Sequence, residues 1–181
     1  RVPDPLLRSY LYRNFPSVFV SSLEIDVTKR ITEGNDLIFL SQTANLEGVE
    51  YILSNPGFRG KVDISGVKSK HYSMSYVKPS SGVSVFSISN IDTPLGMDLS
   101  SASSLKVLRV ENNSSLQLVV VPSVILNDDV SETSIFDSEI HISGCSSLER
   151  VSLQGSKGGN MIGKLHFADL PALDYLDVSA V

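Results

Sequence analysis

The sequence predicts a mainly β solenoid of short strands behind an N-terminal amphipathic helix. Three observations predict it. An apolar-x-apolar triplet, usually followed by Ser, recurs at Val62-Asp63-Ile64-Ser65, Met97-Asp98-Leu99-Ser100, Ile140-His141-Ile142-Ser143 and Leu165-His166-Phe167-Ala168. A second element, L-x-x-L-x-V with exchange among Leu and Val, occurs at Leu105/Leu108/Val110, Leu148/Val151/Leu153 and Leu173/Leu176/Val178, with a looser copy at Val83/Phe86/Ile88. The offset between the elements is constant: Met97 to Leu105, Ile140 to Leu148 and Leu165 to Leu173 are each 8 residues. In a strand, apolar residues two apart face one side. One such unit cannot bury that side alone, whereas stacked units bury a continuous ladder.

The helix comes first. Asp4-Pro5 sets an N-cap carboxylate before a Pro at the first helical position. Leu6, Leu7, Tyr10, Leu11 and Phe15 follow, mostly three and four apart, as one apolar stripe. Pro16 disfavours helix at Phe15, so the helix spans 4–15. The chain is read as a single domain, 1–181, with an N-terminal cap and lead-in at 1–52 and irregular repeats over 53–181. Whole repeats vary: Met97 to Ile140 is 43 residues and Ile140 to Leu165 is 25. Leu116/Leu118/Val121/Val124 is read as a degenerate unit between, and Asn127–Glu139 as an inserted polar loop. The expected stacking puts Leu108, Val151 and Leu176 in one buried column, with Arg109, Ser152 and Asp177 on the opposite side.

Composition agrees and excludes several classes. Of 181 residues 31 are Ser, which weakens helices and suits turns and exposed strand positions. Hydrophobic residues are 41% and charged residues 19%, the balance of a folded chain. No run approaches the ~18 apolar residues of a membrane span. A net charge of −5 gives no pull toward nucleic acid or anionic lipid. A single Cys excludes an internal disulfide framework and a Cys-based zinc site. The chain starts at Arg1 rather than Met, which is read as loss of a signal peptide or of other upstream residues.

Met97–Asn113, MDLSSASSLKVLRVENN, and Ile140–Gly155, IHISGCSSLERVSLQG, carry the L-D-V-S-x-N-x-x-L-x-x-L line of leucine-rich repeats. Asn113 stands at the turn, where its amide can satisfy backbone groups as the chain leaves the strand. With VPDPLLRSYLYRNF (2–15) as cap and NLEGVEYI (45–52) before the first repeat, the chain resembles the leucine-rich-repeat cell-surface proteins of Bacteroides-type bacteria. The resemblance implies a leucine-rich-repeat-like solenoid that is extracellular, periplasmic or surface-anchored. Relatives often carry an Asp-rich loop after the cap helix. Here PSVFVSSLE (16–24) lacks the alternating oxygen ligands that Ca²⁺ needs, so no calcium site is expected.

Other motifs are weighed against the repeat. Gly158-x4-Gly163-Lys164 nearly matches a phosphate-binding loop, but Leu165 replaces the Ser/Thr and a strand follows where a helix N-terminus is needed. His141 and His166 share one slot in consecutive repeats, with Asp63 and Asp98 expected in the same slot earlier. They read as a solvated outward ladder rather than a metal site. Cys145 falls in the inward corner slot and reads as a buried structural thiol. Asp128, Asp129, Glu132, Asp137 and Glu139 fit no Ca²⁺ loop. No cofactor and no catalytic set is expected.

The candidate recognition face is the outward side of the L-x-x-L-x-V strands: Val107, Arg109 and Glu111, then Arg150, Ser152 and Gln154, then Tyr175 and Asp177, extended by Val85/Ser87/Ser89 and Ser179. Repeat proteins use such extended faces for binding, and Arg and Tyr anchor interfaces. The expectation is a non-enzymatic extracellular module that binds a protein or glycan and neither nucleic acid nor a membrane interior. The alternative is a carbohydrate-binding or adhesin β-sandwich, which serine-rich alternating strands also suit. The last strand has no cap after it, so either the chain continues or this edge self-associates.

Overall fold

A computed structural model describes residues 1–40, 45–66, 78–91, 95–121, 138–153 and 164–177. The chain opens with helix α1 (Pro5–Asn14), capped by Asp4, whose carboxylate accepts from the Leu6 and Leu7 N–H groups at 2.8 and 3.0 Å. A short antiparallel pair follows, β1 (Phe19–Ser21) and β2 (Glu24–Ile25). Strand β3 (Leu37–Leu40), the short helix α2 (Glu50–Leu53) and strand β4 (Val62–Ser65) lead into the coils. The rest is strand after strand: β5 (Val85–Ser89), β6 (Leu95–Asp98), β7 (Val107–Glu111), β8 (Leu116–Val121), β9 (Glu139–Ser143), β10 (Arg150–Leu153), β11 (Lys164–Ala168) and β12 (Tyr175–Asp177).

These strands form a β-solenoid of about four turns built from two parallel sheets. The first sheet runs β11-β9-β7-β5-β4-β3 and the second β12-β10-β8-β6. From β5 onward each coil contributes one strand to each sheet. All neighbours in both sheets are parallel, which excludes the antiparallel β-sandwich. From β5 onward the described return leg is a second strand, whereas helix α2 lies between β3 and β4.

The alternation of the strands makes the core. Along the first sheet Leu37, Val62, Phe86, Leu108 and Ile140 stand in register, all fully buried, and Ile64, Ile88, Val110 and Ile142 form a second buried ladder. Val119 and Val151 do the same in the second sheet. Fully burying such a side chain contributes about 1.5–3 kcal/mol.

One expected column does not form. Val151 does pair with Leu176, Arg150 with Tyr175 and Ser152 with Asp177. Leu108, however, pairs with Phe86 and Ile140 in the other sheet, and Arg109 stands beside Ser87 and His141. The cause is that both corners of a coil use the same turn, in which the residue three places on donates its N–H to a buried corner carbonyl. Leu105 donates to Ala102 at 3.1 Å on the way into the first sheet. Leu116 to Asn113, Leu148 to Cys145 and Leu173 to Leu170, at 3.1–3.3 Å, lead into the second. The offset of 8 therefore measures a half-coil, and its Met97 copy enters the opposite sheet from the other two.

A left-handed residue marks the described corners that follow the first sheet. Gly66, Asn90, Asn112, Gly144 and Asp169, with φ between 52° and 68°, each follow directly a strand of the first sheet. Gly, Asn and Asp are the residues that tolerate this conformation. Gly144 has a second reason: a Cβ there would lie 2.2 Å from Asn112 Oδ1. One step further, the expected bridging amide is present. Fully buried Asn113 accepts the Ile91 N–H at its Oδ1 and donates Nδ2 to the Ile88 carbonyl, both at 3.0 Å.

Helix α1 closes the first end. It buries Leu7 and Leu11, and Phe15 meets the Phe58 ring edge-on at 5.7 Å. Tyr10 packs 5.5 Å from Phe39, and its hydroxyl accepts the Ile38 N–H at 2.7 Å, satisfying a donor on edge strand β3. At the other end no described residue covers β11 and β12: Leu165 is 40% and Leu176 41% exposed, where Ile140 and Val151 one coil earlier are fully buried.

Candidate functional site

The outward residues fall on two faces rather than one. On the second sheet, pairing places Leu118, Arg150 and Tyr175 in one column and Val120, Ser152 and Asp177 in the next. Gln117 is the extra residue of a β-bulge, because Leu95 pairs with Leu116 while Gly96 pairs with Leu118. The bulge breaks the alternation and leaves both Gln117 and Leu118 outward. Leu118, read from sequence as a ladder residue, is 41% exposed. Gln117, Glu149, Arg150, Ser152, Tyr175 and Asp177 surround a floor of Leu118 and Val120, enclosing a groove of about 530 Å³. The Arg150 guanidinium lies 4.6 Å from the Tyr175 ring centroid, a cation–π contact.

Four of the sequence candidates, Arg150, Ser152, Tyr175 and Asp177, thus meet in this groove. Gln154 and Ser179 lie outside the described residues. The sequence reading missed Gln117 and Glu149. The signal for the first was the loss of alternation at Gln117-Leu118.

The remaining candidates sit on the first sheet. Val107 and Arg109 line a groove of about 390 Å³ with Ile38, Lys61, Asp63 and Glu139. Arg109 pairs with Glu139 at 2.9 Å. Glu111 approaches His141 Nε2 at 3.4 Å. The His141 and His166 rings stack at 4.4 Å, 15° apart, in the shared slot expected from sequence. Asp63 is in that slot, but Asp98 is not: it pairs with Val120 in the second sheet. Ser100, by side-chain and backbone bonds, and Lys78 at 3.3 Å hold the Asp98 carboxyl below the usual range.

Two arrangements bear on chemistry. Ser143 Oγ is 3.1 Å from His141 Nε2, and Glu139 Oε1 is 3.8 Å from its Nδ1, a line that alternate strand positions create. The amide following Ser143, Gly144 N–H, is donated to the Ala168 carbonyl at 3.1 Å, so it is spent in the ladder and does not serve an oxyanion. Cys145 is fully buried, and burial pushes its thiol pKa up, partly offset by the Asn113 N–H. This is the environment of an inert thiol.

Among the described residues no group of three or more His, Cys, Asp or Glu is placed to hold a metal, and no helix is long and apolar enough to cross a membrane. Most of the Gly158–Lys164 motif and the acidic stretch 128–137 lie outside the described residues; Lys164 opens β11. Comparison with family models, with curated proteins and with solved structures gives no match to this chain.

Proposed function

We propose that this solenoid is a non-enzymatic extracellular or surface-anchored module of the leucine-rich-repeat type, akin to the surface proteins of Bacteroides-type bacteria, that binds a protein or glycan through an outward sheet face. The observation that carries the reading is the groove on the second sheet, where Arg150 and Tyr175 meet beside an apolar floor. Arg and Tyr are the residue types that most often anchor interfaces. The sequence motifs and the buried Asn113 amide support the family reading. The test is a parallel screen of the 181-residue chain against a glycan array and a displayed peptide library, with Arg150→Glu as control. Ligands lost in that variant support the reading. A chain that retains nothing from either screen overturns it.

A further inference from the structure

We propose a second binding site, on the first sheet, that takes an apolar dipeptide with both termini free. It is separate from the groove of Arg150 and Tyr175 and goes beyond the reading above. Its base is β4, which has β3 on one flank and β5 on the other. Two charged side chains face this groove two places apart: exposed Lys61, just before β4, and half-buried Asp63 within it. Among the described residues neither the Lys61 ammonium nor the Asp63 carboxylate has a partner. The other charges of the lining, Arg109 and Glu139, close on each other at 2.9 Å. The lining thus offers one free cation and one free anion. A ligand that answers both carries one charge of each sign, and a singly charged one meets as much repulsion as attraction.

Spacing sets the length of the ligand. Positions two apart on a strand are ~6.6 Å apart. An extended dipeptide spans about 7 Å, so a carboxylate at Lys61 leaves the ammonium at Asp63. A single amino acid holds both charges on one carbon, and each residue beyond two adds about 3.5 Å. The apolar neighbours stand where the two side chains of a dipeptide fall. Asp63 pairs with Ile38 on β3, which is 49% exposed. Lys61, one place before the Val62–Phe86 pair, stands beside Val85 on β5, and Val107 follows Val85 in register on β7. Successive side chains of an extended chain point to opposite sides. A dipeptide laid along β4 therefore sends one side chain to Ile38 and the other to Val85 and Val107. The groove of about 390 Å³ is a small-ligand volume.

The experiment titrates the 181-residue chain by calorimetry with Leu-Leu, Gly-Gly, Leu-Leu amide, N-acetyl-Leu-Leu and a longer leucine peptide blocked at both ends. Leu-Leu is expected to bind with a Kd of about 1 mM or tighter. Gly-Gly, without apolar side chains, should bind about tenfold more weakly or not at all. Blocking either terminus should cost about two- to fivefold, the scale of an exposed ion pair. Lys61→Gln should leave Leu-Leu and its amide equal, and Asp63→Asn should leave Leu-Leu and its N-acetyl form equal. A variant that merely loosened the strand would weaken all the ligands alike. Arg150→Glu, on the other sheet, should change nothing, and circular dichroism confirms that each variant folds. Four outcomes overturn the proposal. The first is no binding of Leu-Leu at about 10 mM. The second is blocked ligands as tight as Leu-Leu, the longer one included, which would mean that the face holds an apolar protein segment. The third is discrimination between free and blocked termini that survives Lys61→Gln and Asp63→Asn. The fourth is sensitivity to Arg150→Glu, which would place the ligand on the second sheet. The proposed function is tested with other ligands on that second sheet, so either reading can fail alone.

Discussion

The two ends of the solenoid are made of the same kind of strand and finish differently. At the first end α1 lays Leu7, Leu11 and Phe15 into the core, and Tyr10 satisfies an edge N–H of β3. At the other end the last described rung leaves Leu165 and Leu176 about two-fifths exposed. A residue's contribution here depends on having a rung on both sides, not on its type. Leu176 and Val151 occupy equivalent positions, and among the described residues Val151 has neighbours on both sides, Val119 and Leu176, while Leu176 has Val151 alone.

Substitutions at the middle and at the last rung separate these two situations. The largest effect is expected from Val151→Asp, which buries an unpaired carboxylate between two rungs and should cost at least several kcal/mol. Leu176→Asp, on the last rung, should cost about 1 kcal/mol or less, because its carboxylate reaches water. Urea unfolding measures both, and equal losses would mean that the far end is covered as well as the middle. Next comes Asn113→Ala, which orphans the Ile91 N–H and the Ile88 carbonyl and should cost about 1–3 kcal/mol by the same measurement. A neutral result would show that these backbone groups find other partners.

Gly144→Ala should cost more than Gly66→Ala. Both residues are left-handed, but the new methyl meets the Asn112 amide at 2.2 Å in the first and open space in the second. Backbone strain alone is worth about 1 kcal/mol, and the difference in thermal midpoint reads the clash. A smaller effect comes from Glu33 near the capped end. Burial raises its carboxyl pKa, but the Ser17 hydroxyl and N–H donated to it lower it further, leaving it below the ordinary value. A lowered folded pKa stabilises above the ordinary Glu value, and that contribution is lost as pH falls through the lowered one. Glu33→Gln should therefore flatten the acid limb of a stability–pH curve, and an unchanged limb would refute the assignment. The smallest effect is expected at the far end. Lys164→Ala should stay within about 0.5 kcal/mol of the parent, and calorimetry should find no ATP binding. Lys164-dependent ATP binding would overturn the reading of Gly158–Lys164 as a connection between coils.

The corner leucines and the alternating strands were legible because burial imposes them at every half-coil. The phase was not, because Leu105 and Leu148 end the same turn at opposite corners. A cue was present: Ser65-Gly66, Ser89-Asn90, Glu111-Asn112, Ser143-Gly144 and Ala168-Asp169 mark the exits from one sheet, whereas Leu99-Ser100 carries no left-handed residue. The candidate face was half legible. Arg150 and Tyr175 follow from the 25-residue step between their strands, while Gln117 enters through a bulge whose position depends on pairing with Leu95 and Gly96. Splitting one face into two moved Val107, Arg109 and Glu111 away from Arg150, Ser152, Tyr175 and Asp177.

The parallel ladders also set how the molecule yields to a mechanical load. Each inner strand is hydrogen-bonded only to the strands one coil before and one coil after it in its own sheet. Tension applied along the solenoid axis then pulls those bonds open in sequence, like a zip, from whichever end lacks a cover. At the first end such a load must also lift α1 from its seat, because Leu7, Leu11 and Phe15 are buried in the same core as the strands.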